Sequence, residues 1–473
     1  MTKFPNDSIK LHKLGEECAV FGIYSLDGEN CASDAYYALL AMQHRGQESC
    51  GIVASNHGSL IVHKDMGLVQ DVFSPKVLET IQGELAIGHV RYSTCGSSVK
   101  ENAQPLTAQY GGRFMAVAHN GNLTNALALR QQLESEYILF QTTVDSEAIA
   151  YLLAREDMKC HSLEQAVASV MDQLEGAFSL VVMSSEKLIA VRDPHGFRPL
   201  CLGRRGNTYI VASETCALDI LGAEFLRDIE PGEVLLIDKT GLHQICHKPA
   251  PQKGVCIFEY IYFARPDSTI DGVNVQVSRE IAGRILARAH PVEADIVTGV
   301  PDSGIGAAIG FAAESGIPYD TAFVKNKYIA RTFIAPEQRL REQAVRIKLN
   351  PIRHKVEGKR VVMVDDSIVR GTTGTRIVKL LKDAGAKEVH VRIASPPFRF
   401  PCYFGTDIPD TQYLTANLYD IEGIRKLLGA DSLGYLPLEA LPQLIGSSGF
   451  CSGCFTGKYP IDIQDQNIQC PCP

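Results

Sequence analysis

Three groups of residues in this chain have types and spacings that could do chemistry. Cys18 heads an apolar run, CAVFGIYS, behind the polar stretch MTKFPNDSIKLHKLGEE; as a thiolate it would be a nucleophile. Arg91 in HVRYST ends another apolar run, where a guanidinium fork can hold a carboxylate bidentately. Asn120 and Gly121 in AHNGNL offer a side-chain amide and a backbone N–H at a turn, and the two can converge on one oxyanion. Asp145 in VDSE supplies a carboxylate suited to an ammonium group. Singly, each has a plainer reading as a packed thiol, a surface ion pair, a turn or a helix cap. Together they make a nucleophile, an oxyanion site and two opposite charges.

The second group is VVMVDDSIVRGTT, Val361 to Thr373. A buried strand ends in Asp365 and Asp366, and a Ser/Gly/Thr loop leads into TGTRIVKLLKDAG. Loop N–H groups and hydroxyls at a helix start cradle phosphate, while paired carboxylates take ribose hydroxyls or Mg²⁺. No G-x-x-x-x-G-K-[ST] run occurs, so this is not a nucleoside-triphosphate loop. A related turn, GVPDSGIGAA, carries Asp302 and Ser303, and the segment between the two is rich in Lys and Arg. The third group is Cys451-Ser-Gly-Cys454, which alone could be half a zinc site, a redox pair or two buried thiols.

The elements that must position these residues fall into two patterns. From Cys18 to about Lys239, short strands cluster at both ends with helices NALALRQQLES, SEAIAYLLAR and SLEQAVASVMDQLEG between them, as in a layered α+β domain. After HKPAPQKG, near-continuous apolar strands alternate with amphipathic helices, the pattern of a parallel sheet covered on both faces. From about Ile408 the chain is expected to be helical and irregular.

The 473 residues allow two or three domains, and 45% hydrophobic with 21% charged content is that of a globular protein. A net charge of −8 argues against a nucleic-acid or membrane-surface protein. No apolar run reaches the roughly 18 residues of a membrane span, and the first 17 residues lack a secretory pattern. The expected location is the cytoplasm, where most of the 14 cysteines would be thiols, metal ligands or nucleophiles rather than disulfides.

Cys18, HRGQES, HVRYSTCG, NAQP, HNGNL and DSE together resemble the glutaminase domain of N-terminal-nucleophile amidotransferases, and the VVMVDDSIVRGTT run resembles the phosphoribosyltransferase signature. The combination resembles the glutamine phosphoribosylpyrophosphate amidotransferase family. That resemblance implies an αββα-layered N-terminal-nucleophile domain over 18–250, and an α/β type I phosphoribosyltransferase domain with a cluster-binding tail over 251–473.

The resemblance makes Cys18 attack the carboxamide of glutamine, with Arg91 on the α-carboxylate, Asp145 on the α-amine, and Asn120 with the Gly121 N–H on the oxyanion. The general base would be the α-amine of Cys18 itself, so residues 1–17 are expected to be a propeptide. Phosphoribosylpyrophosphate would be held by Asp365, Asp366, Ser367, Arg370, Gly371, Thr372 and Thr373. Arg331 and Thr332 would sit in a closing lid, and Ser303, Asp365 and Asp366 would hold Mg²⁺. Cys256, Cys402, Cys451 and Cys454 would hold one [4Fe–4S] cluster, with zinc the physical rival. Cys470 and Cys472 stand outside that pattern, and Cys31, Cys50, Cys95, Cys160, Cys201, Cys216 and Cys246 are expected to be core or incidental thiols. Purine nucleotides would inhibit a homotetramer, and a binding protein that has lost activity is the alternative.

Overall fold

The computed structural model describes residues 18–92, 97–326, 349–406, 408 and 411–463. The expected leader, Cys95, Arg331, Thr332, Cys470 and Cys472 lie outside the described residues.

The chain divides into two units, and the first is a sandwich of two antiparallel sheets. One sheet holds β1 (Ala19–Ser25), β2 (Ser49–Asn56), β3 (Ser59–Met66), β4 (Leu85–Arg91), β9 (Cys201–Arg205), β10 (Thr208–Ala212) and β11 (Glu224–Asp228). The other holds β5 (Leu106–Tyr110), β6 (Arg113–Leu123), β7 (Gly176–Met183), β8 (Leu188–Arg192), β12 (Glu233–Asp238) and β13 (Gly241–His247).

The period-2 alternation of strands explains the layers. In β1, Ala19, Phe21 and Ile23 pack outward with Ala35, Leu39 and Leu218 of flanking helices, while Val20 and Tyr24 pack inward against the second sheet. In β7, Phe178, Leu180 and Val182 face a layer containing Leu129, Ile149 and Leu153, while Val181 and Met183 face inward. Gly22 lies on the inner face, where a Cβ would come within 2.7 Å of Val181, so the sheets approach closely there. Because both faces of β1 and β7 are covered, their sequences are almost wholly apolar. This is the expected αββα arrangement, with an added helix at Ala32–Ala41.

The second unit holds a parallel sheet of Ile296–Gly299, Arg360–Asp365, Glu388–Ile393 and Ser432–Tyr435, in that order. The helices Gly304–Ser315 and Thr372–Asp383 begin just past the carboxyl ends of the first two strands, where ligands bind in open α/β sheets. Gly304 permits a close approach to the next strand, since a Cβ there would meet the Val364 carbonyl at 2.5 Å. The tail beyond Ile408 therefore adds a strand that its composition does not signal.

The expected boundary at 250/251 needs correction. Residues 251–276, 401–406 and 445–463 pack with the first unit. A two-residue parallel bridge, Val255–Cys256 with Phe450–Cys451, joins two of these segments, and Phe404 and Tyr459 pack with Phe197 and Ala177 of the sandwich; so short an element leaves no readable periodicity. No described helix is long and apolar enough to cross a membrane.

Candidate active site

Cys18 precedes β1, and Ala19 pairs with Val90 of β4, so the register carries Arg91 to the position opposite Cys18. The Cys18 thiol lies 3.5 Å from the Tyr92 carbonyl. Arg45, which is fully buried, donates from Nε to the Cys18 carbonyl at 3.1 Å. Arg91 is also buried, and its Nη1 meets the Glu48 carboxylate at 2.7 Å. A substrate carboxylate would share this fork with Glu48 or replace it.

The second sheet brings Asn120 and Gly121 to the same place. His89 of β4 holds Nε2 2.9 Å from the His119 carbonyl of β6, bridging the two sheets one residue before Asn120. Burial lowers the His89 imidazole to about 3, so at neutral pH it is uncharged and Nε2 carries the donated proton. Asn120 is buried, and its Nδ2 has no hydrogen-bond partner among the described residues. An unsatisfied buried amide costs free energy unless a ligand completes it, so this donor suits an incoming oxygen. Gly121 has φ +145, and a Cβ there would overlap the Ala177 carbonyl at 2.0 Å, which restricts the position to glycine.

Asp145 opens the helix Asp145–Cys160 and accepts from the Leu123 N–H at 3.0 Å. Burial alone would raise its carboxyl, but the His119 imidazole and the Leu123 and Ser146 N–H groups outweigh burial and hold it below the usual range. It is a carboxylate at neutral pH. Asn102 links the stretch after Arg91 to the one before Asp145, donating to the Ser97 carbonyl at 2.7 Å and to Thr143 Oγ1 at 2.8 Å. Gln104 accepts from the His119 N–H at 2.8 Å. The expected residues Cys18, Arg91, Asn120, Gly121 and Asp145 thus share one end of the sandwich. Arg45, His89 and Glu48 were missed, although HRGQES and HVRYST carried them as part of recognisable runs.

In the second unit, Asp365 ends its strand and accepts from the Asp366 N–H at 3.0 Å. Both Ser303 and Ser367 donate hydroxyls to Asp366, so the two expected loops meet at one carboxylate. Gly371, at φ +73, caps the helix Thr372–Asp383. Thr372 is exposed, and Arg370 and Thr373 are half-buried. Lys325 pairs with Asp302. Adjacent carboxylates, hydroxyls and a helix start can take a ribose, a divalent cation and phosphate oxygens.

The four expected cluster cysteines all lie in the first unit. Cys256 is paired in register with Cys451, and the Phe404 N–H approaches the Cys402 sulfur at 3.4 Å. Burial first, then the neighbouring Cys402, pushes the Cys451 thiol up to about 12. Burial, followed by Cys402, Cys256 and Cys451, raises Cys454 well above the ordinary range. Four neighbouring cysteine sulfurs are the donor set that a thiolate-bound iron–sulphur group takes. Among the described residues, no three His, Cys, Asp or Glu side chains are arranged to hold a metal ion, so the fit rests on donor chemistry and mutual proximity.

Comparison with known proteins now decides the family. The glutamine amidotransferase domain model matches residues 89–219, and the phosphoribosyl transferase domain model matches 274–395. An amidophosphoribosyltransferase of Methanothermobacter thermautotrophicus is 48% identical over 451 residues, covering 95% of each chain. That of Bacillus subtilis is 48% identical over 463 residues, covering 96% of each. The chain belongs to the amidophosphoribosyltransferase family. The solved structure of B. subtilis glutamine phosphoribosylpyrophosphate amidotransferase, complexed with ADP and GMP, aligns with a TM-score of 0.90 at 47% identity, covering 95% of this chain and 99% of that one. An allosteric regulatory enzyme of purine biosynthesis aligns with the same score and identity, covering 98% of its chain. Members of the amidophosphoribosyltransferase family thus share both halves, and the two expected domains are present in the expected order.

Proposed function

We propose that the chain makes 5-phosphoribosylamine, the first committed step of purine synthesis, using ammonia cut from glutamine at Cys18. The observation that carries the reading is the buried, unpartnered Asn120 amide beside Gly121, at the end of the sandwich where Cys18 begins.

In this reading Arg91 takes the glutamine α-carboxylate and Asp145 its ammonium. The Cys18 sulfur attacks the carboxamide carbon, and Asn120 Nδ2 with the Gly121 N–H takes the charge that develops on oxygen. The α-amine of Cys18, exposed once residues 1–17 are removed, accepts the thiol proton and passes it to the leaving ammonia; its ordinary value of about 7.7–8.0 suits both tasks. Water then hydrolyses the thioester to glutamate.

Ammonia attacks C1 of phosphoribosylpyrophosphate and pyrophosphate leaves. Asp365 and Asp366 orient the ribose, and Ser367, Arg370, Gly371, Thr372 and Thr373 line the phosphate. Ser303, Asp365 and Asp366 would hold Mg²⁺, which would supply positive charge for pyrophosphate as it leaves. Arg331 and Thr332 belong to a lid that excludes water. Cys256, Cys402, Cys451 and Cys454 would hold a [4Fe–4S] cluster, whose part would be structural, since neither half-reaction needs an electron. Purine nucleotides inhibit, the assembly is a homotetramer and the location is the cytoplasm. The B. subtilis relative complexed with ADP and GMP supports the nucleotide part.

The test uses anaerobically purified protein given glutamine, phosphoribosylpyrophosphate and Mg²⁺, each omitted in turn. Glutamate and pyrophosphate should appear together and require both substrates. Intact mass should begin at Cys18, and iron should outnumber zinc with about four per chain. Correctly processed, iron-loaded protein that releases neither product would overturn the reading.

A further inference from the structure

One buried carboxylate in the first unit stands between two parts of the site that no single motif connects. Glu259 lies in the short helix Glu259–Phe263 and is fully buried. Its Oε2 receives Arg45 Nη1 at 2.8 Å, and its Oε1 receives Arg45 Nη2 at 2.7 Å. The same Oε1 is 3.5 Å from Arg198 Nη1. Each guanidinium then holds a backbone carbonyl: Arg45 that of Cys18 at 3.1 Å, and Arg198 that of Phe404.

The Phe404 segment borders the oxyanion strand. Asn122 donates to the Tyr403 carbonyl at 2.9 Å, and a Cβ added to Gly405 would lie 3.2 Å from the Gly121 carbonyl carbon. A second carboxylate, Glu214, also meets Arg45 at 2.7 Å, but it is occupied by His44, Ser268 and the Arg265 N–H. Glu259 faces both guanidinium groups.

We infer that Glu259 is a positioning residue for glutamine hydrolysis, fixing through Arg45 the backbone of Cys18 and through Arg198 the segment that backs Gly121. The inference rests on the reading of Cys18 as nucleophile. Once its leader is gone, Cys18 keeps a single peptide bond, so the Arg45 contact is a main restraint on where its thiol and amine point. A buried ion pair contributes little net stability compared with apolar residues of similar size, which makes position the more natural role for this one.

The test is Glu259→Gln, which keeps the shape and removes the charge. Misplacing a reacting group by about 1 Å costs on the order of 100-fold, so glutamine-dependent kcat should fall by about that factor. KM for glutamine should hold within about threefold, because Arg91 and Asp145 are untouched, and synthesis from ammonium chloride should be retained. The rate at which iodoacetamide alkylates Cys18, followed by peptide mass, should change in parallel. If Glu259→Gln does not fold, Arg45→Lys, which keeps a charge but cannot hold both carboxylates and the Cys18 carbonyl, should give the same split. Unchanged glutamine turnover and alkylation, or equal loss with both nitrogen sources, would overturn the inference. Wild-type protein inactive with either source would instead sink the functional reading, while the alkylation rates would still report on Glu259.

Discussion

The two reaction centres differ in how much of each is built by the protein before substrate arrives. At the sandwich end, hydrogen bonds made by His89, Asn102, Gln104 and Arg45 hold the backbone around Cys18, Asn120 and Asp145. Among the described residues, Asn120 Nδ2 is a buried amide donor left without a partner there. In the phosphoribosyltransferase unit, two carboxylates sit together at a strand end, with serine hydroxyls on Asp366 and an exposed threonine at the helix start.

The difference follows from the substrates. A neutral carboxamide gains charge only in the transition state, so its donors must already be aimed. A polyanion brings charge from the start, and two acids facing it require a cation between them. One site is therefore built from fixed dipoles, and the other from groups that need a partner ion.

Among substitutions that leave the nucleophile in place, Asp366→Asn should show the largest effect. It removes the carboxylate on which Ser303 and Ser367 meet, and should reduce product formation by about 10³-fold with glutamine and ammonium alike. Steady-state pyrophosphate release measures it, and a loss confined to glutamine would break the division between the two centres. Asn120→Ala should cost about 10²–10³-fold in kcat with glutamine alone, read as glutamate release. An equal loss with ammonium would show that Asn120 serves the fold rather than the oxyanion.

The smallest effect concerns His89. Burial holds its folded value near about 3, while an unfolded imidazole titrates near about 6.5. Between these values the unfolded chain binds a proton that the folded chain does not. Its contribution is complete above the unfolded value and is lost as pH falls toward the folded one, by about 1.4 kcal/mol per unit. Urea midpoints taken across that window should fall less steeply in His89→Gln than in wild type. Equal slopes would place a charge on His89 in the folded state.

Much of this arrangement was legible in the chain, and what was not has a physical cause. β1 and β7 are covered on both faces and read as apolar runs, whereas β3, SLIVHKDM, is half-exposed and carries little pattern. The helix Ala32–Ala41 buries mainly alanines, which signal periodicity weakly. The five residues from Cys18 to Asp145 sit in distinctive runs. Glu214 and Glu259 do not, since they meet Arg45 across 169 and 214 residues of chain and only folding joins them. The segments 251–276, 401–406 and 445–463 pack with the first unit through a handful of aromatics around Phe197 and a two-residue bridge among themselves, which leave little pattern in the chain.

The central claim is that one chain joins a cysteine-dependent glutaminase to a separate phosphoribosyl transfer centre. The most direct measurement is pyrophosphate release by Cys18→Ala with glutamine and, separately, with ammonium chloride as nitrogen source. The account predicts loss of turnover by at least about 10⁴-fold with glutamine and near wild-type turnover with ammonium. Glutamine-dependent turnover that survives the substitution would contradict it.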